Sequence, residues 1–192
     1  MISVATAIIM PKIEKLEKKL NLHTGLEKKL FLKVFNRVQE VLSPKYSYKR
    51  IDLANGTLNE LVSSSNDLKA LLGKSNECFA VICTVGQEAT SIINAYQKES
   101  ELAFALYADR IASDAIESLA ECVCSILLNK FFDNKKQQLT RRYSPGYGDL
   151  PLEKQKDLFC LFDGKELEVV LNTKNFMIPE KSISFLVGVY SD

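Results

Sequence analysis

The stretch Cys78-Phe79-Ala80-Val81-Ile82-Cys83-Thr84-Val85 is apolar at nearly every position. A run of that length without alternation predicts a strand covered on both faces. Gly86 turns the chain, and helical spacing resumes over 87–97. A strand, a glycine and a helix also begin a dinucleotide-binding unit, but that unit needs G-x-G-x-x-G and only one glycine stands here. Beyond it, 101–129 carries the longest helical pattern. Phe104, Ala108, Ile111, Ala115, Leu119, Cys122 and Ile126 recur at steps of three and four, while Asp109, Asp114, Glu117 and Glu121 lie off that stripe. Such a stripe is a packing face, with Ser100 as the expected cap.

Upstream, 12–20 is charge-rich with apolar residues at helical spacing, an amphipathic helix. Thr24 and Glu27 form a capping-box pattern for a second helix, with Leu30, Val34, Val38 and Val41 as its buried stripe and Pro44 as its stop. Residues 46–53 alternate like a strand, closed by Asn55-Gly56, and 58–72 is helical with a break at Ser63-Ser64-Ser65. The apolar opening 1–10 reads as a strand or helix packed on the body. Downstream of polar 133–138, Asp149 is the expected N-cap of a short helix reaching 162, with Pro151 in its first turn. A short strand or helix over 167–171 and a strand over 182–190 follow. Without regular βαβ alternation this order predicts an α+β fold: a mixed or antiparallel sheet covered by helices, with one long central helix. Residues 1–70 read as a helical segment with one strand packed on the same domain, and 71–192 as the α+β core.

At 192 residues and 46% apolar content the chain can bury roughly 70% of its unfolded surface, so neither metal nor disulfide is needed for stability. A net charge of +1 gives no broad basic face and no reason to expect nucleic acid as partner. No segment approaches ~18 uninterrupted apolar residues, so no membrane span is expected. The five cysteines are odd in number and follow no export signal, which predicts reduced thiols in a cytoplasmic protein. Cys78 and Cys83 come nearest to a ligand pair, but both fall in the apolar strand and read as core; no metal is expected. Any Ser/His/Asp or Cys/His catalysis would rest on His23, the single histidine, which sits in a turn beside a helix start. There is no Walker loop and no G-x-S-x-G elbow, so no catalytic residue is assigned. The Asp-x-His-x-x-Gly motif of a corrinoid carrier is absent as well, so the chain is not expected to carry cobalamin itself.

One segment stands out as a site. Arg141-Arg142-Tyr143-Ser144-Pro145-Gly146-Tyr147-Gly148-Asp149-Leu150-Pro151 holds two arginines, two prolines, two glycines and two tyrosines. Proline and glycine shape such a loop and let its backbone approach a ligand. The arginine fork suits a carboxylate or phosphate, and a tyrosine face suits a flat ring or a cation. An ordered crossover loop with its tyrosines packed on the domain fits these residues equally well.

Arg142-Tyr143-Ser144-Pro145-Gly146-Tyr147 resembles the Arg-x-Ala/Ser-Pro-Gly-Tyr motif of the activation (reactivation) domain of vitamin B12-dependent methionine synthase. Ala108-Asp109-Arg110-Ile111-Ala112 resembles the Ala-Asp-Arg-Leu-Ala start of that domain's long helix. Phe79-Ala80-Val81-Ile82-Cys83-Thr84-Val85-Gly86 is similar to its strand and turn, and Met177-Ile178-Pro179-Glu180-Lys181-Ser182-Ile183-Ser184 to its Met-x-Pro-x-x-Ser-Val-Ser segment. The four occur in the family's order across about 76–189.

The resemblance implies a chain that binds S-adenosylmethionine and supports reductive methylation of cob(II)alamin, with an electron from a flavodoxin-like donor. Arg142 is then the residue for the methionine carboxylate. Ser144, Pro145 and Gly146 present backbone to adenine or the amino group, and Tyr147 flanks the ligand. Any enzymatic role would be that of a methyltransferase, through positioning rather than acid–base chemistry. The chain lacks homocysteine, folate and cobalamin modules, so the expected partner is the cobalamin-binding module of a separate methionine synthase or other corrinoid protein. Three family features have no counterpart: an acidic residue for the amino group, a ligand-side tyrosine beyond Asp192, and Gly-Tyr-Pro where this chain has Gly146-Tyr147-Gly148. A docking module for a corrinoid methyltransferase that has lost the donor site is the alternative, and a binder of an unrelated anionic small molecule is a third.

Overall fold

The computed structural model describes residues 1–132, 136–164 and 167–191; 133–135 of the polar stretch, 165–166 and Asp192 lie outside the described residues. The strands are β1 (Ile2–Ser3), β2 (Lys45–Asp52), β3 (Glu77–Thr84), β4 (Gln137–Leu139), β5 (Val170–Leu171), β6 (Met177–Ile178) and β7 (Ser182–Ser191). The helices are α1 (Thr6–Ile9), α2 (Ile13–Lys19), α3 (Gly25–Val41), α4 (Asn59–Ser63), α5 (Asn66–Leu72), α6 (Gln87–Lys98), α7 (Leu102–Phe131) and α8 (Gln155–Phe159). Five strands form one sheet in the order β1-β2-β3-β7-β4, and every pairing is antiparallel. β5 and β6 make a separate two-stranded hairpin. The fold is α+β, as the order of elements predicts.

The reason for the unbroken apolar run in β3 is its central place. Phe79, Val81 and Cys83 point into a core shared with α3, α6 and α7. Cys78, Ala80 and Ile82 point into a second core with Leu61, Leu68 and Leu158, carried by α4, α5 and α8. The strand is thus sealed on both faces, at roughly 1.5–3 kcal/mol for each large side chain removed from water. α7 lies over the first face. Its buried surface is wider than one stripe, because α3 and α6 pack on it beside the sheet and bury Ala112, Ala120, Val123 and Leu127 too.

Several local expectations hold. Thr24 and Glu27 complete the capping box of α3. The serine run does break the helix, and Ser65 accepts from the Leu68 N–H to cap α5. The opening segment forms both a short strand and a short helix.

Others are corrected by tertiary contacts. Ser100 does not cap α7; it turns at a φ of 61°, and Glu101 takes the cap position without a side-chain bond. In α3 the buried line is Phe31, Val34, Phe35 and Val38 rather than one through Leu30 and Val41, because Phe31 packs edge-on against Tyr107 of α7 at 5.7 Å. Asp114 is buried although it lies off the apolar stripe, since Lys19 of α2 and Arg110 pair with it. Asp149 does not cap the helix after it, because its carboxylate is taken by the start of α5. The later helix is also shorter than expected, a 3-10 turn at Leu152–Lys154 leading into α8. Among the described residues no helix is long and apolar enough to cross a membrane.

Candidate functional site

The proline–glycine–tyrosine loop is fixed from three sides. Its start is stitched to the sheet. The Tyr143 N–H donates to the Leu186 carbonyl at 2.9 Å, and the Leu186 N–H donates back at 2.8 Å. Further along, Gly146 N–H donates to the Leu150 carbonyl at 2.8 Å and Tyr147 N–H to the Ser144 carbonyl at 3.1 Å. These bonds close 144–150 into a compact turn with Pro145 and Leu150 buried beneath it. Gly146 and Gly148 both sit at positive φ, 88° and 53°, where residues with a Cβ are strained.

Asp149 anchors the far side. It accepts from the Asn66 N–H at 2.7 Å and from the Ser65 hydroxyl, so it caps α5 across the molecule. The buried Tyr143 hydroxyl donates to Asp67 Oδ2 at 3.2 Å in the same cluster. The Ser65 hydrogen bond, followed by the backbone N–H of Asn66, holds the Asp149 carboxyl below the usual aspartate range. A depressed folded-state value adds stability above the unfolded value, and that contribution is lost as pH falls through the folded one. The stability gap between wild type and Asp149→Asn should therefore be widest near neutrality and shrink below about pH 4. Thermal unfolding followed by circular dichroism across that range checks it; a gap that is constant with pH overturns the assignment.

The loop's outer face borders a cleft of about 540 Å³ between it and α7. Arg142, Ser144 and Tyr147 line it from the loop, Glu117, Glu121 and Cys124 from α7. The Arg142 guanidinium lies over the Phe185 ring at 5.5 Å, and its Nη2 donates to Glu117 Oε2 at 2.8 Å. Its Nη1 is buried and has no hydrogen-bond partner among the described residues. Tyr147 is 71% exposed, so its ring is available on the cleft rim. Burial pushes the Cys124 thiol up to about 11, against the opposing pull of Arg142, so it is a neutral thiol near pH 7 and no ready nucleophile.

Of the five sequence-predicted site residues, the structure thus brings Arg142, Ser144 and Tyr147 to the cleft. Pro145 is buried under the turn, and Gly146 is exposed at its corner. Glu117 and Glu121 were not predicted. Their i, i+4 spacing off the apolar stripe marks them as facing away from the sheet but gives no sign that the loop folds over them. Two guanidinium groups (Arg141 and Arg142) from the loop and two carboxylates from α7 line the cleft. That balance suits a zwitterion or a cation better than a polyanion.

A larger cleft of about 740 Å³ lies on the other side of Glu117 and Glu121. Its cations are largely engaged: Lys19 and Arg110 pair with Asp114, and Lys181 donates to Asp109 at 2.7 Å. Among the described residues no group of three or more His, Cys, Asp or Glu could hold a metal ion.

Of the four sequence segments that carry the family resemblance, the loop (Arg142, Ser144 and Tyr147) and 177–184 (Ile183) line the smaller cleft, and the other two are tied to 177–184 or lie on the helix that forms its wall. Ser182 donates to Thr84 Oγ1 at 2.9 Å, Lys181 joins the end of the hairpin to Asp109 of α7, and Arg142 joins the loop to Glu117. No known protein family and no curated protein matches the chain. Among solved structures, it is similar to the MetH reactivation domain bound to AdoHcy. The TM-score is 0.68 at 14% identity, over 100% of this chain and 78% of that one. At that identity the likeness is one of fold, and the chain has the α+β fold of the MetH reactivation domain.

Proposed function

We propose that the cleft binds S-adenosylmethionine by its amino-acid end, and that the chain supports reductive methylation of cob(II)alamin on a separate methionine synthase or other corrinoid protein. The observation that carries this reading is Arg142. A guanidinium fixed over Phe185, with Nη1 buried and unpartnered at a cleft of ligand size, is prepared for a carboxylate. The fold shared with a domain that binds AdoHcy supports the same ligand class.

S-adenosylmethionine brings its own activated methyl group on a sulfonium sulfur. The work left to this chain is holding and orienting. Arg142 donates to the carboxylate, Glu117 and Glu121 offer negative charge to the ammonium or sulfonium, and Tyr147 covers the open side. A flavodoxin-like protein is the electron donor that the reading requires. Calorimetric titration of wild-type protein with S-adenosylmethionine and S-adenosylhomocysteine should give saturable binding. No saturation at millimolar ligand overturns the donor site. Pull-down with a corrinoid module from the same cell tests the partner separately, and no complex in either cobalt oxidation state overturns that half.

A second reading has its own support. Glu117 already occupies Nη2 of Arg142, so a ligand carboxylate must share or displace it. A docking module that binds the corrinoid partner without holding the methyl donor accounts for an arginine neutralised from within. It predicts a complex with the partner and no heat with either adenosyl ligand.

A further inference from the structure

A slot of about 160 Å³ adjoins the cleft on the hairpin side and shares Ser144, Tyr147 and Ile183 with it. It is too small for a whole drug-sized ligand, for which roughly 300 Å³ or more is usual, but it has room for one planar ring system. Its walls are mostly apolar. Tyr147 on one element and Phe176 on the other are both largely exposed and line it, as does the buried Pro145. Two solvent-facing aromatic rings lining one slot are a stacking surface for a flat ligand.

Asn175 supplies the polar group. It is 7% exposed, lines the slot, and its amide oxygen is buried with no hydrogen-bond partner among the described residues. Its place in the turn explains its backbone. The φ of 65° is one that asparagine tolerates, and its N–H donates to the Asn172 carbonyl at 3.0 Å. The turn does not explain why the side-chain oxygen is withdrawn from water without a donor, an arrangement that disfavours the folded state. A ligand N–H reaching that oxygen offsets the penalty.

We infer that this slot is a base subsite: it takes a heteroaromatic base with an exocyclic amino group, stacked by Tyr147 and Phe176, and Asn175 accepts from that amino group. Joined to the cleft at Ser144 and Tyr147, the two chambers fit a bipartite ligand with a flat base at one end and a zwitterion at the other. The inference rests on the proposed S-adenosylmethionine reading, deepens it by assigning the adenine end, and is tested apart from it.

The probes are adenosine, inosine and S-adenosylhomocysteine, titrated calorimetrically into wild type, Asn175→Gly, Asn175→Asp and Arg142→Ala. Glycine accepts the positive φ and removes the amide, and aspartate keeps an acceptor, so circular dichroism should show both variants folded. Wild type should prefer adenosine over inosine by about tenfold, Asn175→Gly should lose that preference, and Asn175→Asp should restore it. S-adenosylhomocysteine binding that depends on Arg142 but not on Asn175 overturns this inference and leaves the parent reading standing. Adenosine binding that depends on Asn175, with S-adenosylhomocysteine indifferent to Arg142, supports the base subsite and overturns the proposed carboxylate contact. Absence of binding by all three probes overturns both.

Discussion

Gly148→Pro is expected to destabilise the protein by about 3 kcal/mol or more, through the backbone alone. Gly148 holds a φ of 53°, whereas proline is locked near about −65° and cannot take that conformation at any strain the turn could absorb. A Cβ at this position would also stand 2.6 Å from Asp67 Oδ2 and closer still to the Tyr143 hydroxyl. Neither partner can step aside freely. Tyr143 is bound to Leu186 through both of its backbone groups, and its hydroxyl belongs to the cluster that caps α5. For a domain of this size the loss corresponds to a fall of roughly 6–12 °C in Tm. Gly148→Ala meets the same two Cβ contacts but keeps the N–H and a free φ, so it should cost more than the ~1–2 kcal/mol of the left-handed conformation alone and less than proline. Urea unfolding gives the ranking directly: wild type most stable, then alanine, then proline. A proline variant as stable as wild type would show that the loop takes another path after Tyr147.

That ranking bears on function because the reactivation-domain motif resembled by this loop continues Gly-Tyr-Pro. A loop that needs glycine at the third position sends the chain away from Tyr147 in a direction that proline cannot take. Tyr147 lines the cleft, and after Gly148 the Asp149 carboxylate caps α5. The departure in sequence falls at the one residue whose φ of 53° excludes proline.

The parts of the fold legible in the sequence are those decided by neighbours along the chain. β3 reads correctly because sealing both faces leaves an unbroken apolar run, and the Thr24–Glu27 box reads correctly because its two bonds span three residues. The loop reads as a candidate site because arginine, proline, glycine and tyrosine crowd into a few positions, and three of its five named residues do meet at the cleft. The features that escape are decided by distant partners. Asp149 looks like a cap for the helix after it but caps one some 80 residues earlier, across a separation of 83 to Asn66. Asp114 looks solvent-facing until α2 brings Lys19 against it. Glu117 and Glu121 carry the same helical signature as any exposed carboxylate pair, and only the return of the loop over α7 makes them a cleft wall. Asn175 looks like a turn residue, and it is one; its buried, unpartnered amide oxygen is visible only once the hairpin is folded beside Tyr147.

Arg142→Ala should lower the affinity for S-adenosylhomocysteine by about 10- to 100-fold, the range given by losing hydrogen bonds of about 1.5–3 kcal/mol between a charged donor and a carboxylate. The same change should cost only about 1 kcal/mol of stability, because the Glu117 pair is partly exposed and such pairs contribute little. A large loss in binding against a small loss in stability separates a ligand contact from a structural one. Arg142→Lys sharpens the point, since lysine keeps the charge but not the planar fork; an intermediate affinity means that geometry as well as charge is read. Glu117→Gln then distinguishes the two roles open to that carboxylate. If Glu117 only neutralises Arg142 until a ligand carboxylate replaces it, the glutamine variant binds more tightly. If Glu117 faces the ligand's ammonium, the variant binds more weakly. Unchanged affinity in Arg142→Ala overturns the carboxylate contact whichever way Glu117 behaves, and leaves the docking module as the reading of this fold.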